Sequence, residues 1–86
     1  MAIRADGKVA RLYPTKGYTY IRLALAAGVA APEDGYFKLD QTHPNYNALY
    51  SLALLAAVNR YTLTIRTESD ITPSEYAVVR YMWVDW

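Results

Sequence analysis

The sequence predicts a mainly β protein: a small five-stranded Greek-key barrel of the OB-fold kind, with one helix between strands 3 and 4. Three observations carry this. Five segments have strand lengths and alternating or β-rich composition. The single long uncharged stretch, 44–59, falls between the third and fourth of them. Proline- and glycine-bearing breaks separate the rest. An open sheet with one helix packed on it is the competing arrangement of the same elements. At 86 residues the chain is one domain, 1–86, large enough for a single core and too small for two.

The elements follow in order. Residues 8–13 (KVARLY) form a strand stopped by Pro14 and Gly17. Residues 18–25 (YTYIRLAL) put Thr19, Ile21, Leu23 and Leu25 on one face and Tyr18, Tyr20, Arg22 and Ala24 on the other, so one face of this strand is inward. The short turn between the two makes them a hairpin. A loop over 26–35 leads to a third strand, 36–40, with Phe37 and Leu39 inward. Pro44 suits the first turn of a helix over 44–59, with Thr42, His43 or Asn45 as its cap and Asn59 as its stop. Residues 61–66 alternate Tyr61, Leu63 and Ile65 against Thr62, Thr64 and Arg66. The polar loop 67–75 contains Thr72-Pro73-Ser74-Glu75, with the spacing of a capping box and room for one helical turn. The last strand, 76–84, puts Ala77, Val79, Tyr81 and Trp83 on one face and Tyr76, Val78, Arg80, Met82 and Val84 on the other. Both faces are largely apolar, so the strand is expected to be covered on both sides.

Composition narrows the function. A hydrophobic fraction of 53% excludes disorder. Nine basic residues against eight acidic ones leave a charge of +1 with no charged block, which disfavours nucleic acid and anionic membranes as partners. No stretch reaches the roughly 20 apolar residues of a membrane span. Without cysteine there is no disulfide framework, thiol nucleophile or cysteine–zinc site. Residues 1–8 show no apolar stretch behind a charged start, which reads as cytoplasmic unless the chain is a mature form.

Enzymatic chemistry is poorly served, and the chain reads as non-enzymatic with no cofactor and no metal. His43 is the one histidine and serves best where the chain enters the helix. Ser51, His43 and Asp40 form a triad only on paper, because Ser51 lies in an apolar helix. The acids Glu33, Asp34, Glu68, Asp70 and Glu75 lie in turns, and no phosphate-binding or dinucleotide motif occurs.

The helix points to assembly. One face, Ala48, Leu49, Leu52, Leu55 and Ala56, is expected to close the barrel. The other, Tyr46, Tyr50, Ala53, Leu54 and Ala57, has no charge and no element left in the chain to cover it. The expected cover is a second copy of the chain, in a closed homo-oligomer; the alternative is that the 26–35 loop or the C-terminal aromatic residues fold over it.

The segments Tyr36-Phe37-Lys38-Leu39, Asn47-Ala48-Leu49-Tyr50-Ser51-Leu52-Ala53-Leu54 and Leu63-Thr64-Ile65-Arg66, within residues 8–66, resemble the pentameric B subunits of AB-type bacterial toxins, particularly the binding subunit of the subtilase cytotoxin kind. The resemblance implies an OB-fold, a homopentameric ring and recognition of host glycans, and a second chain could dock on such a ring.

OB-folds bind oligonucleotides or oligosaccharides on the face of strands 2 and 3 with the 1–2 and 4–5 loops. Here that face would present Tyr18, Tyr20, Arg22, Tyr36, Lys38 and Asp40. Thr15 and Lys16 would join from the first loop, and Thr67, Glu68, Ser69 and Asp70 from the second. Tyrosines interleaved with polar groups suit carbohydrate stacking. The alternatives are a single-stranded nucleic-acid binder using the same rings, and a purely structural ring in which the tyrosines and arginines form a cross-strand ladder.

Overall fold

Alternation decides which side chains fill the interior. In the computed structural model, which describes residues 2–86, five strands carry it: β1 (Arg4–Pro14), β2 (Tyr18–Ala24), β3 (Tyr36–Asp40), β4 (Thr62–Thr67) and β5 (Ala77–Asp85). The helix α1 (Tyr46–Asn59) lies between β3 and β4. Ile21, Phe37, Leu39, Leu63 and Ile65 are fully buried, and Leu23, Val79 and Met82 pack with them. The strands close into a barrel in the order β1-β2-β3-β5-β4, with β1 returning to β4. All neighbours are antiparallel except β3 and β5, where Phe37 faces Ala77 and Lys38 faces Val78 in parallel. Barrel, strand order and helix position are those of an OB-fold-like domain.

The first strand is longer than expected. Arg4–Gly7 pair with β4, and from Lys8 onward the strand pairs with β2. One strand thus serves both halves of the barrel. It passes between them at Gly7, where an added Cβ would lie 2.6 Å from the Ala24 carbonyl oxygen. Gly7 is thus a point of close backbone approach, which a side chain would block. Ala10 then bulges out between the Val9–Leu23 and Arg11–Arg22 pairs.

A second bulge changes the face of β5. Thr67 pairs with Val79, but the preceding residue of β4, Arg66, pairs with Tyr81, leaving Arg80 unmatched. One extra residue reverses the alternation. Ala77 and Val79 point inward, then Met82, with Val84 packed against the core, while Tyr81 and Trp83 turn outward. The expected grouping of Tyr81 and Trp83 with Ala77 and Val79 is therefore corrected, as is full cover on both sides: Tyr81 is exposed and Trp83 half-buried.

The helix is rotated relative to expectation. Leu49, Ala53 and Ala56 are buried, and Tyr46, Tyr50, Leu52 and Ala57 pack against the core. The side carrying Tyr46, Tyr50, Ala53 and Ala57 closes the barrel. Ala53 has no exposed surface, and the Tyr46 hydroxyl is hydrogen-bonded to the hydroxyl of buried Thr19. Of the residues expected to meet a partner copy, only Leu54 is exposed. The outward side carries Leu54, Leu55 and Val58, with Val58 74% exposed, alongside Asn47 and Ser51. With no charged residue on the helix, Asn47 and Ser51 mark the outward side only weakly in sequence, and the apolar Leu54, Leu55 and Val58 beside them obscure that signal. The small side chains, which suit close helix–helix approach, here let the helix sit close on the barrel end.

The helix ends also differ in detail. No side chain caps its start at Asn45. Instead the Asp40 carboxylate accepts from the Thr42 N–H at 2.9 Å and its hydroxyl at 2.8 Å. His43 Nδ1 accepts from the Asn45 N–H at 3.0 Å, which leaves Nε2–H to donate to the Arg80 carbonyl at 2.7 Å. That pair of bonds ties the helix start to the bulged residue of β5. The stop is Arg60, in the left-handed conformation at φ 58°, one residue beyond Asn59. Residues 72–75 make a turn joined by Thr72 and Ser74 hydroxyls, not a helical turn. Among the described residues no helix is long and apolar enough to cross a membrane.

Candidate ligand-binding face

The outer wall of β1, β2 and β3 gathers Tyr13, Tyr18, Tyr20 and Tyr36, four of the nine tyrosines. Register places them. Tyr13 lies opposite Tyr20, which lies opposite Lys38; Arg11 lies opposite Arg22, which lies opposite Tyr36; Tyr18 lies opposite Asp40. Tyr76, just before β5, joins them, with ring centroids 5.5 Å from Tyr36 and 5.6 Å from Tyr20. Tyr13 and Tyr20 are 5.3 Å apart, and Tyr18 and Tyr20 6.3 Å. Several pairs meet edge to face, the arrangement the ring quadrupoles favour.

The wall has a floor and a rim. Tyr36 is the floor: it is 8% exposed, its hydroxyl accepts from Arg11 Nη1 at 3.3 Å, and the Arg22 guanidinium lies 6.0 Å from its ring centre. It supports the other rings and offers no free face. Tyr13 is exposed, and Tyr18, Tyr20 and Tyr76 are half-buried, so these four present the accessible aromatic surface. Lys38 Nζ sits 5.1 Å over the Tyr18 ring, a cation–π contact worth about 0.5–1 kcal/mol at an exposed site.

At the Tyr76 end the wall runs into a groove of about 350 Å³, lined by Glu33, Lys38, Ser69, Ser74, Glu75, Tyr76 and Val78. Loop hydrogen bonds build it. The Glu33 N–H donates to the Glu75 carbonyl at 2.8 Å, which joins the β2–β3 loop to the β4–β5 loop. The Thr67 hydroxyl donates to the Ser69 carbonyl at 2.6 Å, and the Glu68 N–H to the Val78 carbonyl at 2.9 Å. Asp34 and Gly35, at φ 54° and 77°, turn the chain from Glu33 into β3. Partial desolvation within the cluster, with the charges of Glu33 and Asp34 nearby, raises the Tyr76 pKa above the ordinary tyrosine value. Its phenol therefore remains a hydrogen-bond donor well into the alkaline range.

The structure brings Tyr18, Tyr20, Arg22, Tyr36, Lys38 and Asp40 to one wall, as the alternation implies. Asp40 is at the far edge and is already engaged by Thr42. Those two hydrogen bonds, helped by His43 and Lys38, hold its pKa below the usual aspartate value. Glu68 and Asp70 are exposed and do not line the groove; their neighbour Ser69 does. In the β1–β2 turn the Thr15 hydroxyl donates to the Tyr18 carbonyl, and the Thr15 carbonyl accepts from Gln41. Sequence reasoning missed Arg11, Tyr13, Glu33, Ser74, Glu75 and Tyr76 as members of this site. Arg11 and Tyr13 were legible in principle, since they lie two apart on a strand paired with Tyr20 and Arg22. The groove residues come from separate loops, and no local pattern links them.

The paper triad has no counterpart. Ser51 is on the outward side of α1, His43 bonds to Asn45 and Arg80, and Asp40 bonds to Thr42. Among the described residues no three His, Asp or Glu side chains are placed to hold a metal ion. No known family model, curated protein or solved structure shows significant similarity to this chain.

Proposed function

We propose that this protein is a non-catalytic carbohydrate-binding barrel that acts as a homo-oligomer. One observation carries the ligand class: a wall of accessible tyrosines runs into a groove whose rim holds two carboxylates, a lysine and two serines. The apolar faces of sugar rings stack on aromatic rings. Sugar hydroxyls donate to carboxylates and accept from lysine, serine and a protonated phenol. Glu33 and Glu75 suit hydroxyl groups and repel phosphates, which is what separates this reading from nucleic acid.

Self-association rests on the outward side of α1. Leu54, Leu55 and Val58 form an uncharged apolar stripe, and a second copy would cover it. Several shallow sites on one ring raise apparent affinity without any new contact. The proposed stoichiometry is five, from the resemblance to toxin B subunits. A structural ring without ligand is favoured by one observation, the burial of Tyr36 beneath its neighbours, which is what a packing ladder would look like.

The test is a glycan array probed with the labelled protein, alongside Tyr20→Ala and Tyr76→Ala. The expected result is binding to a defined set of oligosaccharides that both variants lose while keeping the native circular dichroism. An array with no signal, or signal unchanged in both variants, refutes the carbohydrate reading.

A further inference from the structure

The other half of the barrel, formed by β1, β4 and β5, carries a second concave site that the tyrosine wall does not involve. It is about 390 Å³, within the range of small-molecule sites, and is lined by Ala2, Ile3, Arg4, Arg66, Tyr81 and Trp83. Four features of it converge.

Arg4 and Arg66 are direct cross-strand partners, and Arg66 is paired in turn with Tyr81. Two like charges opposite each other cost stability unless an anion lies between them. No carboxylate lines the site; the nearest acid on this face of β1, Asp6, is two residues along and registered with Thr64.

Arg66 is under-satisfied. Among the described residues its buried Nε has no hydrogen-bond partner, and its Nη1 reaches the Tyr81 hydroxyl only at 3.5 Å. A buried donor without a partner is costly, and native proteins rarely leave one. A guanidinium offers its donors as a planar fork that matches carboxylate and phosphate oxygens.

Beside the two guanidinium groups is an aromatic shelf. Tyr81 and Trp83 stack with centroids 5.8 Å apart and planes 29° apart, and the Arg66 guanidinium lies 5.9 Å from the Tyr81 ring centre. Both rings face outward because the bulge at Arg80 reverses the alternation of β5. Without that extra residue they would point into the core. The bulge therefore places an aromatic pair next to an arginine pair, and bulges recur where a side chain must be re-aimed toward a ligand.

We infer that this site binds a small planar ring bearing an anionic group, a phosphate or a carboxylate, with the anion between Arg4 and Arg66 and the ring on Tyr81 and Trp83. This assignment is independent of the carbohydrate proposal, since it uses other strands and other side chains.

The experiment uses the full chain with Trp86→Phe, which leaves Trp83 as the one tryptophan of the two in the sequence. Phenyl phosphate, benzoate, inorganic phosphate and phenol are titrated separately while Trp83 fluorescence is followed. Phenyl phosphate or benzoate should give saturable quenching, about tenfold tighter than inorganic phosphate or phenol, because only the first two engage both halves of the site. Which of the two binds tighter identifies the preferred anion. Arg4→Gln, at an exposed position, should weaken binding about tenfold, while the melting temperature without ligand is no lower than the parent's because the like-charge pair is relieved. Arg66→Gln should abolish it. Absence of saturation up to about 10 mM of either aryl anion, a regime weaker than any specific site, overturns the assignment. So does equal affinity in folded Arg4→Gln.

Discussion

Replacing Ala53 and Val58 by glutamate, one at a time, separates the two sides of α1 by their energies. Ala53 has no exposed surface and packs in the core. A glutamate there must either bury an unpaired carboxylate or force the helix off the barrel. Overpacking costs about 1–3 kcal/mol, and burying a polar group without a partner about 1–3 kcal/mol more. The sum, about 2–6 kcal/mol, compares with a total stability of about 4–13 kcal/mol for a chain of 86 residues. Each kcal/mol moves the melting temperature of a domain this size by about 4–8 °C, so Ala53→Glu should lose about 10 °C or more, or fail to fold. Val58 lies five residues further on, where 74% of its surface is open. Val58→Glu should change the stability of the monomer by no more than about 0.5 kcal/mol. Its effect should instead fall on assembly. Covering Leu54, Leu55 and Val58 is worth about 3–5 kcal/mol per subunit, and a closed ring with one contact per subunit gains about the same per contact. Association costs about 4–15 kcal/mol, so one contact is weak, and a charge in its centre removes it. Thermal melts by circular dichroism read the first effect, and native mass spectrometry the second. A stable, folded Ala53→Glu together with an unfolded Val58→Glu would refute the helix orientation. An oligomer unaffected by Val58→Glu combined with Leu55→Glu would refute the proposed interface.

Other expectations can be checked as simply. Gly7→Ala should destabilise the barrel by about 1–3 kcal/mol in urea unfolding, because its Cβ meets backbone at 2.6 Å, where nothing can rotate away. His43→Ala should cost about 1–2 kcal/mol by removing the bonds to Asn45 and Arg80, a loss visible in the same assay and larger than for a surface substitution. The raised Tyr76 pKa implies stability that is fully present below the ordinary tyrosine value and lost as pH rises through the Tyr76 value. Ultraviolet titration should show one tyrosine ionising late, and Tyr76→Phe should remove that component. The depressed Asp40 pKa has the opposite sign: its contribution is present above the ordinary aspartate value and lost as pH falls through the Asp40 value. Carbon NMR of the carboxylate follows this directly.

Strands with one wet face were legible in the sequence. Thr19, Ile21 and Leu23 of β2, Phe37 and Leu39 of β3, and Leu63 and Ile65 of β4 alternate in the chain and are buried in the barrel. The order of elements around the single helix pointed to the barrel but is shared with an open sheet, and the β1–β4 and β3–β5 pairings decide between them. Legibility failed where one residue or one rotation decided the outcome. The bulge at Arg80 has no signature among Val78, Val79 and Tyr81, which are all strand formers, yet it sends Tyr81 and Trp83 outward. The helix is uncharged, with Asn47 and Ser51 the weak marks of its outer side, and packing against Thr19 and the barrel end fixes its orientation. Gly7 shows the converse: a residue type that breaks strands locally is required by a close approach to Ala24, a residue distant in sequence. The tyrosine wall was half legible. Its β2–β3 members follow from alternation, whereas Tyr76 and the carboxylates of Glu33 and Glu75 reach the groove only because two loops are hydrogen-bonded to each other.

The most direct test of the carbohydrate assignment is the salt dependence of binding, measured between about 50 and 200 mM salt for the tightest oligosaccharide from the array and for an oligothymidylate strand. The tyrosine wall with its carboxylate-rimmed groove predicts an oligosaccharide affinity that barely moves with salt and oligothymidylate binding that is weaker throughout. Tight oligothymidylate binding that falls steeply over that range, with no measurable oligosaccharide affinity, would contradict it.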